Sequence, residues 1–503
     1  MSQPLPDSAI SREQQGRQVF ALFSATWAIY GLLHCIVVYL TWVRMSRPDE
    51  VSQHVAVMLA GCWVLGRPTS VLRLMVLCVS FLVMEFWDAP YWPNHVFHTM
   101  VVNMTLIGVC LVRLVSRPAG LSLPAAIGES FAPLGRVMIL ALYFWVVVHK
   151  LNWDYLNPEV SCGWILYTDV VAFTQSFLGI PLPEWTWMQY PCLLGALVAE
   201  AVIPLLLVFP KTRKAGLIFG IAFHTMLTFH ANEWISSFSM MLFSTYTLFL
   251  SPATRAAIID WWVGSALGRR VAGGRGLAMT GLLVGALTLY LAVLFGIASI
   301  RLSVGYEQFM HFFHTVSPYA AFFTWLSYAG LATYLFFKFV RPARVEPDPR
   351  GYYIARPVPL MIVPLLCFLN GFSPYVGLKT HNAYAMFSNL RTEAGVNNHL
   401  FLPASFRLVD WQDDLVTVYE SNVRRIPANA ETARMTWFEF RRRMIHQPDD
   451  LDVTYRRNDG PKRTITIDDV LNDPELAPPP YVWRALFWYK TVPPDDGPCP
   501  CRH

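Results

Sequence analysis

The stretch 134-LGRVMILALYFWVVVHKLNWDYL-156 decides the fold, because thirteen residues from Val137 to His149 hold no charged side chain and the run then closes on His149-Lys150. A run of this kind reads as a membrane helix whose outer end carries an ammonium group. Nine further stretches match it, giving candidate spans at 19–43, 70–87, 95–115, 134–150, 189–209, 215–231, 234–251, 276–299, 317–339 and 357–375. A shorter run, 53–66, is an uncertain eleventh. Only 15% of the 503 residues are charged and 54% are hydrophobic, against about 25% charged in an ordinary soluble domain. The sequence therefore describes a polytopic α-helical membrane protein of about 10–11 spans.

Polarity changes after residue 375. Residues 1–375 form the expected transmembrane helical domain, and 376–503 a soluble α+β domain with a small sheet. In the latter, 451-LDVTYRRNDGPKRTITID-468 alternates apolar and polar residues on both sides of Asn458-Asp459-Gly460, the signature of a hairpin. The segment 410-DWQDDLVTVYES-421 reads as a strand, and 431-ETARMTWFEFRRRMIHQ-447 as an amphipathic helix with Met435, Phe438, Phe440 and Met444 on its apolar positions. The proline-rich 474–480 and 493–500 read as loop or tail.

The first 18 residues are polar and the run after them has no small-residue cleavage site, so it reads as a retained first span. The net charge of +5 comes from basic residues in short loops beside apolar runs, which orient a membrane protein and give no reason to expect nucleic acid. Arg113, Arg117, Arg136, Lys211, Arg213, Lys214, Arg255, Arg269 and Arg341 mark one side as cytoplasmic. Loops 88–94, 151–188, 232–233 and 300–316, and the domain after 375, then face outward from the inner membrane. The amino terminus is cytoplasmic if 53–66 crosses and outside if it does not.

Nine cysteines include no CxxC pair, and most fall in apolar runs as packing residues. Cys162 and Cys192 fall on or near one outward loop and could bond to each other, while the terminal CPCRH reads as a frayed tail, with metal binding as the alternative. The sequon Asn103-Met104-Thr105 lies inside a span, out of reach of glycosylation.

Ionisable side chains in and beside the bilayer carry the functional expectations. Lys150 either snorkels outward and pairs with Asp154 four residues on, or is buried and acts as a base. Glu200, near the middle of its span, must be protonated, paired with a cation or beside water. His95 and His98, His224 and His230, and His311 and His314 are histidine pairs; those at i, i+3 spacing share a helix face and could offer imidazoles to a metal, or be satisfied by backbone and water. Aromatic residues on the outward side, including Trp87, Tyr91, Trp92, Trp153, Tyr155, Trp185, Trp187, Tyr190 and Trp234, form an interfacial belt or the mouth of a pocket for a flat ring.

Three of these stretches together resemble the vitamin K-dependent γ-glutamyl carboxylase family within the wider HTTM (horizontally transferred transmembrane) group. HKLNWDYL (149–156) is similar to the family's lysine-bearing "KKLDADW" helix end, YWPNHVF (91–97) to its "W-N-N-H" helix start, and FHTMLTFHANEWISSFSMMLFSTYTLFLSP (223–252) to its "FHCM...FSIGMFSY" pattern. VTYRRNDGPKRTITI (453–467) resembles the soluble part's "ITYRDGRTGEL". His149 stands where the family has a first lysine, and Asn152-Trp153 replace the residues after the leucine. The resemblance implies Lys150 as base, His95 as stabiliser of developing charge, His224 and Glu200 as orienting partners, and His149, Trp92, Trp153 and Asp154 around the cofactor. It implies a reduced vitamin K-type naphthoquinone (the quinol), O2 and CO2, with no metal required. The quinone arrives from membrane lipid, and a peptide or small-molecule substrate from the outer aqueous side. Two other readings stand beside it. One is a membrane oxidase or hydroxylase with metal held by His95, His98, His224, His230, His311 and His314; the other is a binding or assembly factor with a membrane protein partner.

Overall fold

The computed structural model describes residues 11–42, 48–87, 92–227, 229, 233–265, 268–269, 322–345, 348, 351–403, 407–423, 425–428, 431–445 and 450–502. Helix dominates. In hydrocarbon a backbone must satisfy its own N–H and C=O groups, and the apolar runs do so as α1 (Arg12–Trp42), α2 (Pro48–Leu65), α3 (Val71–Trp87), α4 (Asn94–Val115), α5 (Leu123–Lys150), α6 (Cys162–Phe173), α7 (Gln189–Val208), α8 (Arg213–Leu227), α9 (Glu233–Tyr246) and α10 (Pro252–Gly264). Among the described residues, four helical stretches are long and apolar enough to cross a membrane: Arg12–Val37, Asn94–Val115, Leu123–Lys150 and Thr186–Val208. Ser52–Leu65, Ile235–Phe249 and Val358–Asn370 are apolar but shorter. The expected span 276–299 lies outside the described residues, as does 317–321 of the next one.

Two differences from the sequence reading concern helix ends. α5 begins eleven residues before the expected 134, at Leu123, because Pro124 is tolerated in a first helical turn and Pro133 does not end the helix. The outward segment 151–188 contains α6, capped by Ser161, whose hydroxyl accepts from the Gly163 N–H. It is too short to span a membrane, which is why its pattern reads as loop.

The chain forms two compact units. The first comprises Met1–Trp87, His98–Leu140 and Val202–Pro364. Here α1 packs on α2 and α9, and α2 on α3. Phe23, Trp27, Tyr30 and Phe81 build its centre, where the Trp27 indole N–H donates to Asn103 Oδ1 at 2.9 Å and Tyr30 shares a 2.9 Å hydrogen bond with Thr99. Asn103 is thus a buried helix-to-helix contact. Gly16 and Gly128 let α1 and α5 touch through their backbones, since a Cβ at Gly128 would stand 2.2 Å from the Gly16 oxygen. Arg213 forks onto Asp348 at 2.7 and 2.9 Å, and Arg136 lies 3.6 Å over the Tyr352 ring.

The second unit comprises Asp88–Phe97, Ala141–Ala201 and Leu365–His503. Its sheet is antiparallel in the order β2-β1-β3-β4, with β1 Leu415–Ser421, β2 Met435–Thr436, β3 Asp452–Arg457 and β4 Lys462–Thr466. The expected hairpin is β3–β4, and Asn458 takes the left-handed conformation (φ 47°) that its turn requires. The expected helix over 431–447 is reduced to Trp437–Arg443 because Met435-Thr436 pairs with β1 as a strand, Thr436 then capping the Glu439 N–H. Val416, Val418, Met435, Phe440, Val453 and Ile465 meet beneath the sheet as a core.

Candidate functional site

Lys150 is the last residue of α5, where a cation also complements the helix dipole. The final turns of that helix are fixed by their neighbours in the second unit. The Trp145 indole N–H donates to the Phe368 carbonyl at 2.7 Å, and the His149 Nε2 lies 3.0 Å from the Gly371 carbonyl. Gly371 is needed there, since a Cβ would stand 2.2 Å from the Trp145 ring. With α5 so held, the Lys150 ammonium hydrogen-bonds the Glu200 carboxylate of α7, and their side chains are 4% and 13% exposed.

The lysine is buried and not snorkelling, and its partner is Glu200, not Asp154. Helical i, i+4 spacing does not apply because α5 stops at Lys150. Asp154 instead accepts from Asn398 Nδ2 at 2.6 Å and from the Cys499 N–H at 2.9 Å. The turn between them is another clamp: Asn152 Nδ2 donates to the His149 and Ser388 carbonyls at 2.7 and 2.5 Å, and its Oδ1 accepts from the Tyr155 N–H at 2.8 Å.

The remaining expected residues divide between the units. His95, in the first turn of α4, and Trp92 are buried in the second unit, while Trp153 is 67% exposed. Asn94, beside His95, accepts the Tyr384 N–H at 2.7 Å. His98 and His224 are buried in the first unit; His224 sits edge-on to Phe223 and Phe238. Among the described residues no three His, Cys, Asp or Glu gather as a metal-binding cluster. His230, His311 and His314 lie outside them.

Sequence reasoning missed the segment 377–400 altogether. It contains five non-glycine residues in the left-handed region, Asn382, Tyr384, Phe387, Asn389 and Ala394, with Gly377 and Gly395 at φ 84° and 71°. Such residues are individually unfavourable and persist only where the surroundings over-determine them. The segment is also buried, and a buried loop must satisfy its polar groups internally. Asn389 does so by accepting from the Cys162 N–H and donating to the Val160 and Cys499 carbonyls. His399 accepts from the Phe401 and Leu402 N–H groups at Nδ1, so the proton is on Nε2, which donates to the Val148 carbonyl at 2.9 Å. The one signal in the sequence was the asparagines, which tolerate left-handed backbone.

Two disulfide and tail expectations are corrected. Cys162 is bonded to Cys501, and Cys192 is a free thiol. The tail is therefore pinned, not frayed, as far as Arg502, with Cys499 buried beside Asp154. The tail also closes a set of buried charges. Arg391 donates to the Asp495 carbonyl at 2.8 Å, Arg502 meets Glu393 at 3.4 Å, and Lys490 donates to the Ala385 carbonyl at 2.8 Å. Burial, helped by the Arg502 charge, pushes the Lys490 amine down to about 8.

The first unit contains another polar group that sequence reading passed over: His34 of α1 lies 2.6 Å from Ser237 Oγ and 4.0 Å from the Glu85 carboxylate. Each falls singly within an apolar run, so nothing in the linear pattern draws them together. Comparison of the chain with family models, with curated proteins and with solved structures returned no match.

Proposed function

We propose that the chain is an integral inner-membrane enzyme of about ten or eleven spans that takes a proton at Lys150, resembling the vitamin K-dependent γ-glutamyl carboxylases. The observation that carries this reading is the buried Lys150–Glu200 pair. Two opposite charges held out of water gain little stability over an apolar pair, so their retention is better explained by use than by folding. The proton that keeps the pair neutral can reside on Lys150 Nζ or Glu200 Oε2. In the second arrangement Nζ carries a lone pair and is the base. Glu200 keeps the amine oriented in both.

The last turns of α5 also carry aromatic side chains whose chemistry suits a flat ring with oxygen substituents. Trp145 and His149 stack at 5.2 Å, Tyr375 lies 5.7 Å from His149, and the buried Tyr375 hydroxyl has no hydrogen-bond partner among the described residues. A reduced naphthoquinone, when bound, would supply with O2 the strong oxygen base needed to make a carbon acid add CO2. Trp145 and Tyr375 would hold such a ring, His149 would fix its edge, and His95 would stabilise charge developing on an oxygen. The Cys162–Cys501 bond favours an oxidising compartment, in keeping with an outward-facing carboxy-terminal domain that receives a water-borne substrate.

The test is quinone conversion. Purified wild type, Lys150→Ala and Glu200→Gln are incubated with reduced naphthoquinone and O2, and the epoxide is sought by mass spectrometry. Wild type is expected to form it, Lys150→Ala not at all, and Glu200→Gln at a rate lower by about 10²-fold or more. Epoxide from Lys150→Ala at the wild-type rate, or none from folded wild type, would sink the reading.

A further inference from the structure

The first unit joins its helices by polar contacts of two kinds. One is neutral: Trp27 with Asn103, and Tyr30 with Thr99, tie α1 to α4 through uncharged hydrogen bonds at 2.9 Å. The other is ionisable. Nδ1 of His34 on α1 lies 2.6 Å from the Ser237 hydroxyl of α9, and its Nε2 lies 4.0 Å from the Glu85 carboxylate of α3. All three side chains are buried, none of the residues more than 8% exposed. Holding helices together with a carboxylic acid and an imidazole costs more desolvation than the neutral bonds beside them, so this set calls for a use beyond packing.

The imidazole has a polar neighbour at each nitrogen, which is what a proton carrier needs: it takes a proton at one nitrogen and gives one up at the other. Beyond Ser237 the hydroxyls continue. Tyr30 interacts with Ser237 as well as with Thr99. The order is therefore Thr99, Tyr30, Ser237, His34 and Glu85, drawn from α4, α1, α9 and α3. Each hydroxyl both donates and accepts, so each can pass a proton on. The last gap, 4.0 Å, is about 1 Å longer than a hydrogen bond, which a small shift of the Glu85 side chain closes. The other titratable groups that act on this chain are Cys35 of α1, which lies 3.9 Å from the Met84 sulfur, and His54 of α2.

We propose that Thr99, Tyr30, Ser237, His34 and Glu85 form an intramembrane proton relay, with the His34–Glu85 pair as the place where one proton is stored. The pair holds that proton as carboxyl beside neutral imidazole or as carboxylate beside imidazolium. Both forms are neutral overall, which such burial favours. On unloading, Glu85 gives its proton to Nε2 as Nδ1 gives its own to Ser237, Ser237 to Tyr30 and Tyr30 to Thr99, whose hydroxyl hydrogen passes to water. Each oxygen along the way breaks one O–H bond as it makes another, and Glu85 is left as the carboxylate. The reverse run loads it. All five residues belong to the first unit and Lys150 to the second, so the relay stands or falls apart from the quinol chemistry.

Infrared spectra and nitrogen NMR of the full chain in detergent micelles, with isotope-labelled histidine and without quinol, count the stored proton. At neutral pH the wild type is expected to show a carboxyl band that Glu85→Gln removes, or an imidazolium signal that His34→Gln removes, and not both. Transfer to heavy water then times its exchange. Ser237→Ala and Tyr30→Phe should each slow that exchange at least about tenfold, while Ser237→Thr, which keeps the hydroxyl, stays near the wild-type rate. A packing role alone predicts the opposite, since a loosened bundle exchanges at the same rate or faster. The two hydroxyl variants interrupt one path at different points, so if size-exclusion elution shows one to be misfolded, the other still decides. Neither proton or both protons in the wild type, or an exchange rate unchanged or raised in a folded hydroxyl variant, would overturn the proposal.

Discussion

Replacing one partner of the Lys150–Glu200 pair leaves the other buried without its counter-ion. With side chains only 4% and 13% exposed, neither group is freely hydrated. Breaking such a pair from one side costs about 3–5 kcal/mol, whereas replacing both partners by apolar residues of similar volume is near neutral. Lys150→Met and Glu200→Leu should therefore each lose about 3–5 kcal/mol, and the double variant no more than about 2 kcal/mol. The coupling between them is then at least about 4 kcal/mol, well above the error of additivity for independent sites. Equilibrium unfolding in mixed micelles, followed by tryptophan fluorescence, measures all four corners of the cycle. Single losses below about 1 kcal/mol that simply add in the double variant would refute the buried pair and the argument for proton transfer built on it.

Three further outcomes follow from the second unit. Burial pushes the Lys379 amine down to about 7, against an ordinary 10.5 when unfolded, so the unfolded chain binds the extra proton between those values and wild-type stability should rise with pH across that window by up to about 5 kcal/mol; Lys379→Met should show a shallower slope, and an unchanged slope in micelle unfolding from pH 6 to 10 would count against its burial. Gly371→Ala should lose about 1–3 kcal/mol by driving a methyl group into Trp145, read as a lowered thermal midpoint, and a neutral result would mean that the two do not touch. Reducing the Cys162–Cys501 bond should free the tail to proteolysis and destabilise the unit by about 2–5 kcal/mol, whereas Cys192→Ser should change neither.

The linear pattern carried the helices and the hairpin well, because long apolar runs and an Asn-Asp-Gly turn have few other solutions. It also singled out Lys150 and Glu200 separately, since a charge inside an apolar run is expensive wherever it points. It could not join them, being 50 residues apart on different helices, and nearest-neighbour logic supplied Asp154 in place of Glu200. The cysteines failed for the same reason: Cys192 is near in sequence, while Cys501 is 339 residues away. The segment 377–400 was illegible for a different cause. Its conformation is imposed by contacts from α5, α6 and the tail, and left-handed backbone at Tyr384 and Phe387 runs against their local preference.

The long interval between the two bonded cysteines also orders the protein's birth. Cys162 leaves the ribosome 339 residues before its partner, so its thiol waits, reduced and reactive, through the synthesis of α7 to α10 and the whole sheet. At about 5–20 residues per second that wait lasts tens of seconds. Cys192 is the nearer thiol throughout, and the wrong bond is the one that can form first. Reaching the Cys162–Cys501 pairing from that bond takes a thiol–disulfide exchange once the tail arrives.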